Sequence, residues 1–245
     1  MADKPLTGFR TTKVKALLIY LATEPAPQRR ETLTTLLWPG MPERSARQNL
    51  RQIMYNLRRA VPDLASEADS DTTAVPLILA NRQTIQLNPK AIIKSDIMQF
   101  SALIKSVQSH DHLDLFLCHD CQQKLATAVS LYTSDFLADF YLDDSNEFEE
   151  WAEITRQTYR RQVLDALETL TAIKTRQTTF AEARAYAERQ IEIDDLRESG
   201  YRQLMKILAL SGQRAEALAL YDSCRRLLSE ELSMAPSART TEIYE

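Results

Sequence analysis

Glycine is nearly missing from this chain, with four residues in 245. No Gly-rich loop is available to cradle a phosphate with bare backbone amides, which excludes P-loop and dinucleotide-binding chemistry. Histidine is equally scarce: three residues, all between positions 110 and 119. Neither a Ser-His-Asp order nor a nucleophile elbow occurs, so no enzyme activity is expected. Cysteine numbers three, an odd count unlike the disulfide framework of a secreted domain. No apolar run is long enough to span a bilayer, and the N-terminus carries no signal-peptide core. These absences predict a cytoplasmic protein with reduced thiols and no membrane partner.

What remains is rich in Ala, Leu, Arg, Gln and Glu, a helical composition. The net charge of −4 conceals a division. Residues 1–90 hold 13 Lys and Arg against 8 Asp and Glu, while residues 91–245 carry a net −9. A basic first part suits phosphates, and an acidic second part suits other partners.

The most informative stretch runs from Glu43 to Val61. On a helix at 100° per residue, Ala46, Leu50, Ile53, Met54, Leu57 and Val61 share one face. Arg44, Gln48, Arg51, Gln52, Tyr55 and Arg59 share the other, flanked by Arg47 and Arg58. After Glu43 no carboxylate neutralises this second face. A solvated helix normally mixes both signs. Arg and Gln can make paired hydrogen bonds to guanine and adenine edges, so the face reads as a nucleic-acid surface.

Two helices are predicted ahead of it, one from Thr12 ended by Pro25 and Pro27, the other from about Arg29 to Trp38. Behind it, Pro62 and the polar stretch Leu64–Ala74 read as a break and a loop. Strand-formers on either side of Asn81-Arg82-Gln83 then predict a β-hairpin. Three helices and a hairpin, the third helix basic, is the order of a winged helix, with Arg82 at the tip of the wing. Double-stranded DNA is the expected partner, approached by Arg44, Arg47, Gln48, Arg51, Gln52, Tyr55, Arg58, Arg59 and Arg82.

From Ser95 onward helices are expected throughout: to about Val107, from Gln122 to Tyr132, and from Glu147 to Arg176. Ala181-Glu-Ala after Phe180 and Ala215-Glu-Ala after Arg214 repeat at an offset of 34 residues, the tetratricopeptide period. Residues 147–245 are therefore expected to stack as a helical solenoid, a common protein-binding scaffold. The fold class is mainly α: a winged-helix domain over residues 1–92, then an all-α, tetratricopeptide-like domain over 93–245.

One segment stands apart. His110, His112, Cys118, His119 and Cys121 crowd into 12 residues. Cys118-x-x-Cys121 is a zinc-knuckle spacing, and His110 and His112 would complete four ligands for a structural zinc ion. A reduced, unligated loop and a Cys118–Cys121 redox pair are the other readings.

Several of these stretches resemble the bacterial transcriptional activator domain family, which includes the Streptomyces antibiotic regulatory proteins. The similar residues are Leu36-Leu-Trp-Pro39, Ala46-Arg-Gln-Asn-Leu50 and Leu57-Arg-Arg59. Leu131-Tyr-Thr-Ser-Asp-Phe-Leu137, Phe148-Glu-Glu-Trp151, Arg197-Glu-Ser-Gly-Tyr201, Leu228-Ser-Glu-Glu-Leu232 and Pro236-Ser237 follow in order. The resemblance implies a winged-helix DNA-binding domain followed by a tetratricopeptide-like activation domain. Its expected function is transcriptional activation at a promoter, with the helical part serving homodimerisation or contact with RNA polymerase or a sigma factor. An interaction scaffold, or the regulatory front end of a longer signalling ATPase, is the alternative. Relatives usually begin with a small sheet before the first helix, to which only Phe9 is a candidate here.

Overall fold

The structure is a computed structural model that describes residues 9, 11–61, 75–91, 93–111 and 114–245. The predicted loop Leu64–Ala74 and the break at Pro62 lie outside the described residues, as does His112. Among the described residues the fold is mainly helical, with ten helices and one small sheet. None of these helices is long and apolar enough to cross a membrane.

The described residues up to Gln99, together with Ser134–Arg156, form one compact unit. Helices α1 (Thr12–Thr23), α2 (Arg30–Leu37) and α3 (Glu43–Ala60) supply most of its core. The six residues predicted for the apolar face of α3 are all buried, from Ala46 to Val61. They meet Val14, Leu17 and Leu21 of α1 and Leu33 and Leu37 of α2 in a single cluster. Gly40, with φ of +74°, makes the turn into α3, a backbone geometry that side chains with a Cβ resist.

The hairpin consists of β2 (Ile78–Ala80) and β3 (Thr84–Leu87), paired antiparallel with Ile78 opposite Leu87. A third strand, β1 (Gln28–Arg29), lies on the other side of β3, giving the order β1-β3-β2. The sequence places Arg29 at the start of the second helix; in the structure it belongs to this strand, and the helix begins one residue later at Arg30. Phe9, the candidate for an N-terminal strand, packs against the core without belonging to a strand.

Residues 134–156 belong to the packing of this first unit, although they lie beyond the expected boundary at residues 92 and 93. The reason is apolar burial. Leu142, Phe148 and Ala152 are buried in the same cluster as α1–α3. Ser145 Oγ donates to the carbonyl of Leu36. Lys13 Nζ donates to Leu37 O at 2.7 Å and pairs with Asp144 at 2.8 Å, lying 5.2 Å above the Trp38 ring centroid. Trp151 packs against the Tyr20 ring, 4.8 Å between centroids, and donates from Nε1 to Glu24.

The second unit comprises residues 100–133 and 157–245. Its helices come from α4 (Asp96–Ser109), α5 (His119–Leu131), α6 (Asn146–Arg176), α7 (Phe180–Ile193), α8 (Glu198–Leu210), α9 (Arg214–Leu232) and α10 (Ala238–Tyr244). The first residues of α4 and α6 fall in the first unit. Helix α5 begins three residues before the expected Gln122, which puts Cys121 inside its first turn.

The 34-residue repeat is visible in the backbone itself. Ala181 and Ala183 are the second and fourth residues of α7; Ala215 and Ala217 occupy the same places in α9. Ahead of each helix stands a left-handed residue, Thr178 at φ 58° and Gly212 at φ 83°. Each is followed by the same reversal, Thr179 N to Lys174 O and Gln213 N to Leu208 O. Ala183 and Ala217 are buried in one cluster with Leu204, Met205 and Leu208 of α8. At Gly200 an added Cβ would come within 3.1 Å of Ile191 Cγ1, so the missing side chain lets α7 and α8 approach.

Replacing Ala183 or Ala217 with Leu is expected to overpack this cluster and lower stability by roughly 1–3 kcal/mol, read from thermal or urea melts. Wild-type melts in both variants would show that the register is wrong. Thr178 carries the opposite expectation. A β-branched residue at positive φ is strained, so Thr178→Gly should stabilise by about 0.5–1 kcal/mol after the entropic cost of glycine. Gly212→Ala at the equivalent position should destabilise in the same assay.

Candidate nucleic-acid interface

Because the core takes one face of α3, the other face is left in solvent. Arg44, Arg47, Gln48, Arg51, Gln52, Tyr55, Arg58 and Arg59 are all exposed. Glu43 in the first turn and Arg58 and Arg59 in the last match the helix dipole. Arg59 donates to the Tyr55 hydroxyl at 3.4 Å, with its guanidinium 5.7 Å from that ring's centroid. Gln52 donates to Asn56 one turn on, at 3.3 Å.

The hairpin tip is fixed by local chemistry. Asn81 Oδ1 accepts from the backbone amides of Gln83 and Thr84, both at 2.7 Å, an Asx turn. Arg82, between them, is left exposed. Arg30, the first residue of α2, holds this turn from below. Its backbone amide donates to Gln83 O and its Nε to Asn81 O, each at 2.9 Å.

Between α3 and the hairpin tip lies a cleft of about 1000 Å³. Arg29, Arg30, Arg47, Arg51 and Arg82 line it, and Glu31 is the one carboxylate among the described residues that do so. Partial burial, with the charges of Arg58 and Arg51 nearby, pulls Arg30 below the usual guanidinium range. Like charges are thus crowded around an open, water-filled space, an arrangement that an anion relieves.

Of the nine residues predicted to face DNA, the structure brings Arg47, Arg51 and Arg82 to this cleft, with Arg58 close enough to influence Arg30. Arg44, Gln48, Gln52, Tyr55 and Arg59 stand elsewhere on the exposed side of α3. Arg47 pairs with Glu31 at 3.3 Å and also with Glu43, so its charge is partly met within the protein. Both pairs are exposed and weak enough to exchange for a phosphate. Arg29 and Arg30 were missed; their adjacency ahead of a short helix was the available signal.

The histidine–cysteine segment lies in the second unit. His110 follows the last turn of α4, Cys118 precedes α5, and Cys121 is buried in its first turn. His110 Nδ1 stands 2.9 Å from Cys121 Sγ and 3.5 Å from Cys118 Sγ. His119 opens α5 with its side chain exposed.

Known proteins place the chain. The family model of the bacterial transcriptional activator domain matches residues 96–245, and the chain belongs to that family. Among solved structures it is similar to Mycobacterium tuberculosis EmbR, described in complex with a low affinity phosphopeptide. The identity is 18% and the TM-score 0.69 over 98% of this chain. The likeness is one of fold, and the chain spans 59% of the EmbR chain. No curated protein matches it.

Asn81→Ala removes both hydrogen bonds that shape the hairpin tip. It is expected to cost about 1 kcal/mol and to speed hydrogen exchange at the Gln83 and Thr84 amides. Unchanged exchange at those two amides would show that the Asx turn does not hold the tip.

Proposed function

We propose that this protein is a DNA-binding transcriptional activator. In this reading α1–α3 and the β1-β3-β2 sheet form a winged helix, and the helical part is a tetratricopeptide-like activation domain. Helix α3 enters the major groove of promoter DNA; at about 10–12 Å across with its side chains, it matches a groove about 12 Å wide. Gln48 and Arg51 read base edges, while Arg29, Arg30, Arg58 and Arg82 meet phosphates on either side. The helical part supports self-association and contacts with RNA polymerase or a sigma factor, in keeping with the family.

The observation that carries the reading is the cleft lined by five arginines between α3 and the hairpin tip. A scaffold whose first unit had no polyanion to meet would gain nothing from concentrating one sign of charge there. The acidic remainder of the chain has no comparable role toward DNA.

The test is binding of the full chain to duplex DNA across a salt series. Affinity should fall steeply as salt rises, because each neutralised phosphate releases counterions and contributes about −0.9 to the logarithmic slope. Arg82→Ala should weaken binding evenly across sequences and reduce that slope by about one. Arg51→Ala and Gln48→Ala should change sequence preference in a selection from random duplexes, at about 1–3 kcal/mol per lost base contact. A flat salt response, or no binding at low salt, favours the scaffold. Unchanged affinity and preference in Arg51→Ala would mean that α3 is not the reading element.

A further inference from the structure

Residues 110–121 take no part in the DNA reading, yet they bring three metal-ligating side chains to one point. The ligand atoms of His110, Cys118 and Cys121 all lie within 4.8 Å of one another. We propose that these three residues bind a zinc ion, with a solvent molecule in the fourth position, and that the ion staples the end of α4 to the start of α5.

The geometry suits zinc. With Zn–S near 2.3 Å and Zn–N near 2.0–2.1 Å, tetrahedral ligand atoms stand roughly 3.3–3.8 Å apart. His110 Nδ1 lies 3.5 Å from the Cys118 sulfur, within that range, and 2.9 Å from the Cys121 sulfur, below it, so a side-chain rotation that opens the shorter contact by roughly 0.5 Å makes room for the ion. The donor set is also right. Two thiolates and a neutral imidazole bring two negative charges to a divalent ion, so the closed site holds no net charge.

A disulfide between Cys118 and Cys121 would use the two thiols, and an imidazole could activate one of them, but that chemistry does not need Nδ1 in reach of both sulfurs. His110 comes from the other side of the loop, on the far end of α4, and aims Nδ1 at both sulfurs. The burial gradient agrees: Cys121 is buried, Cys118 partly so, and His110 is exposed. The ion would therefore sit with one side in protein and one in water, where the solvent ligand belongs. Within the loop, Leu117 is 79% exposed. A metal supplies the cross-link that apolar packing does not.

His112 lies outside the described residues and is not assigned to the site. His119 points into solvent from the first turn of α5 and serves as the control.

The experiment uses the full, untagged chain, stripped with chelator under reducing conditions and titrated with zinc or cobalt(II). One zinc per chain is expected, and cobalt should show the intense visible bands of a tetrahedral site with thiolate-to-cobalt charge transfer. Cys118→Ser should remove about half of that charge-transfer intensity and weaken zinc binding by more than about tenfold. Serine is a favoured residue at a helix N-cap, so this variant keeps α5 and its loss of metal does not report misfolding. His110→Ala, at an exposed position, should weaken zinc comparably while retaining the charge-transfer band, and His119→Ala should bind as wild type. Absence of stoichiometric zinc overturns the proposal, as does cobalt without charge transfer. Zinc binding that is indifferent to both Cys118→Ser and His110→Ala overturns it as well. None of these outcomes touches the DNA reading, which rests on residues of the first unit.

Discussion

The first unit turns on a single requirement: α3 must bury Ala46, Leu50, Ile53, Met54, Leu57 and Val61 against α1 and α2. Burying those side chains supplies the larger part of any stabilisation an 18-residue helix brings to a core, at about 1.5–3 kcal/mol for each large aliphatic residue. Helix geometry does the rest. Once that stripe is committed inward, the residues half a turn away have no choice but to face water. Because those residues are Arg, Gln and Tyr, the same packing decision that makes the core also makes the cationic surface. Rotating α3 to hide its charges would expose six apolar side chains, so the surface is as stable as the core itself.

Crowding of arginines has an energetic cost that the unit contains by its architecture. Arg30 is anchored through its backbone amide and Nε to the hairpin turn, and Arg47 leans on Glu31 and Glu43. Several stretches quoted for the family resemblance prove to be joints of this kind. Arg197 binds Asp165 at 3.0 Å and Glu168 at 2.8 Å, tying the start of α8 to α6. Glu198 accepts from both the amide and the hydroxyl of Ser237, which holds the entry to α10. A buried amide, Gln190, donates to Thr171 and Gln203 and links α6, α7 and α8. Polar joints of this sort select one arrangement of helices among many that would bury similar area.

What the sequence made legible and what it hid divide along physical lines. The two faces of α3 were readable because helical periodicity is a local code. The Asn81-Arg82-Gln83 tip was readable because Asn has a specific turn chemistry. The 34-residue register was readable because small residues mark close contacts, and it extends to backbone conformations at Thr178 and Gly212 that no composition would reveal. Strand β1 was hidden. Two residues carry no periodicity, and Gln28 and Arg29 are strand only because Ile85 and Thr84 lie opposite. The return of residues 134–156 to the first core was hidden for a related reason: a contact such as Ser145 to Leu36 spans 109 residues of chain. Arg29 joined the candidate site through that same unseen strand, and Arg30 follows it as the first residue of α2.

The placement of the aromatic residues divides the molecule optically. Both tryptophans, Trp38 and Trp151, sit in the core that α1–α3 share with residues 134–156. The helices carrying the 34-residue repeat hold tyrosines instead, among them Tyr201 and the Tyr221–Tyr244 stack at 4.2 Å. Indole emission therefore observes the first unit alone, and phenol absorbance is weighted toward the second. One unlabelled sample carries separate reporters for the loosening of each, which turns a single melting experiment into a measure of whether the two units unfold together.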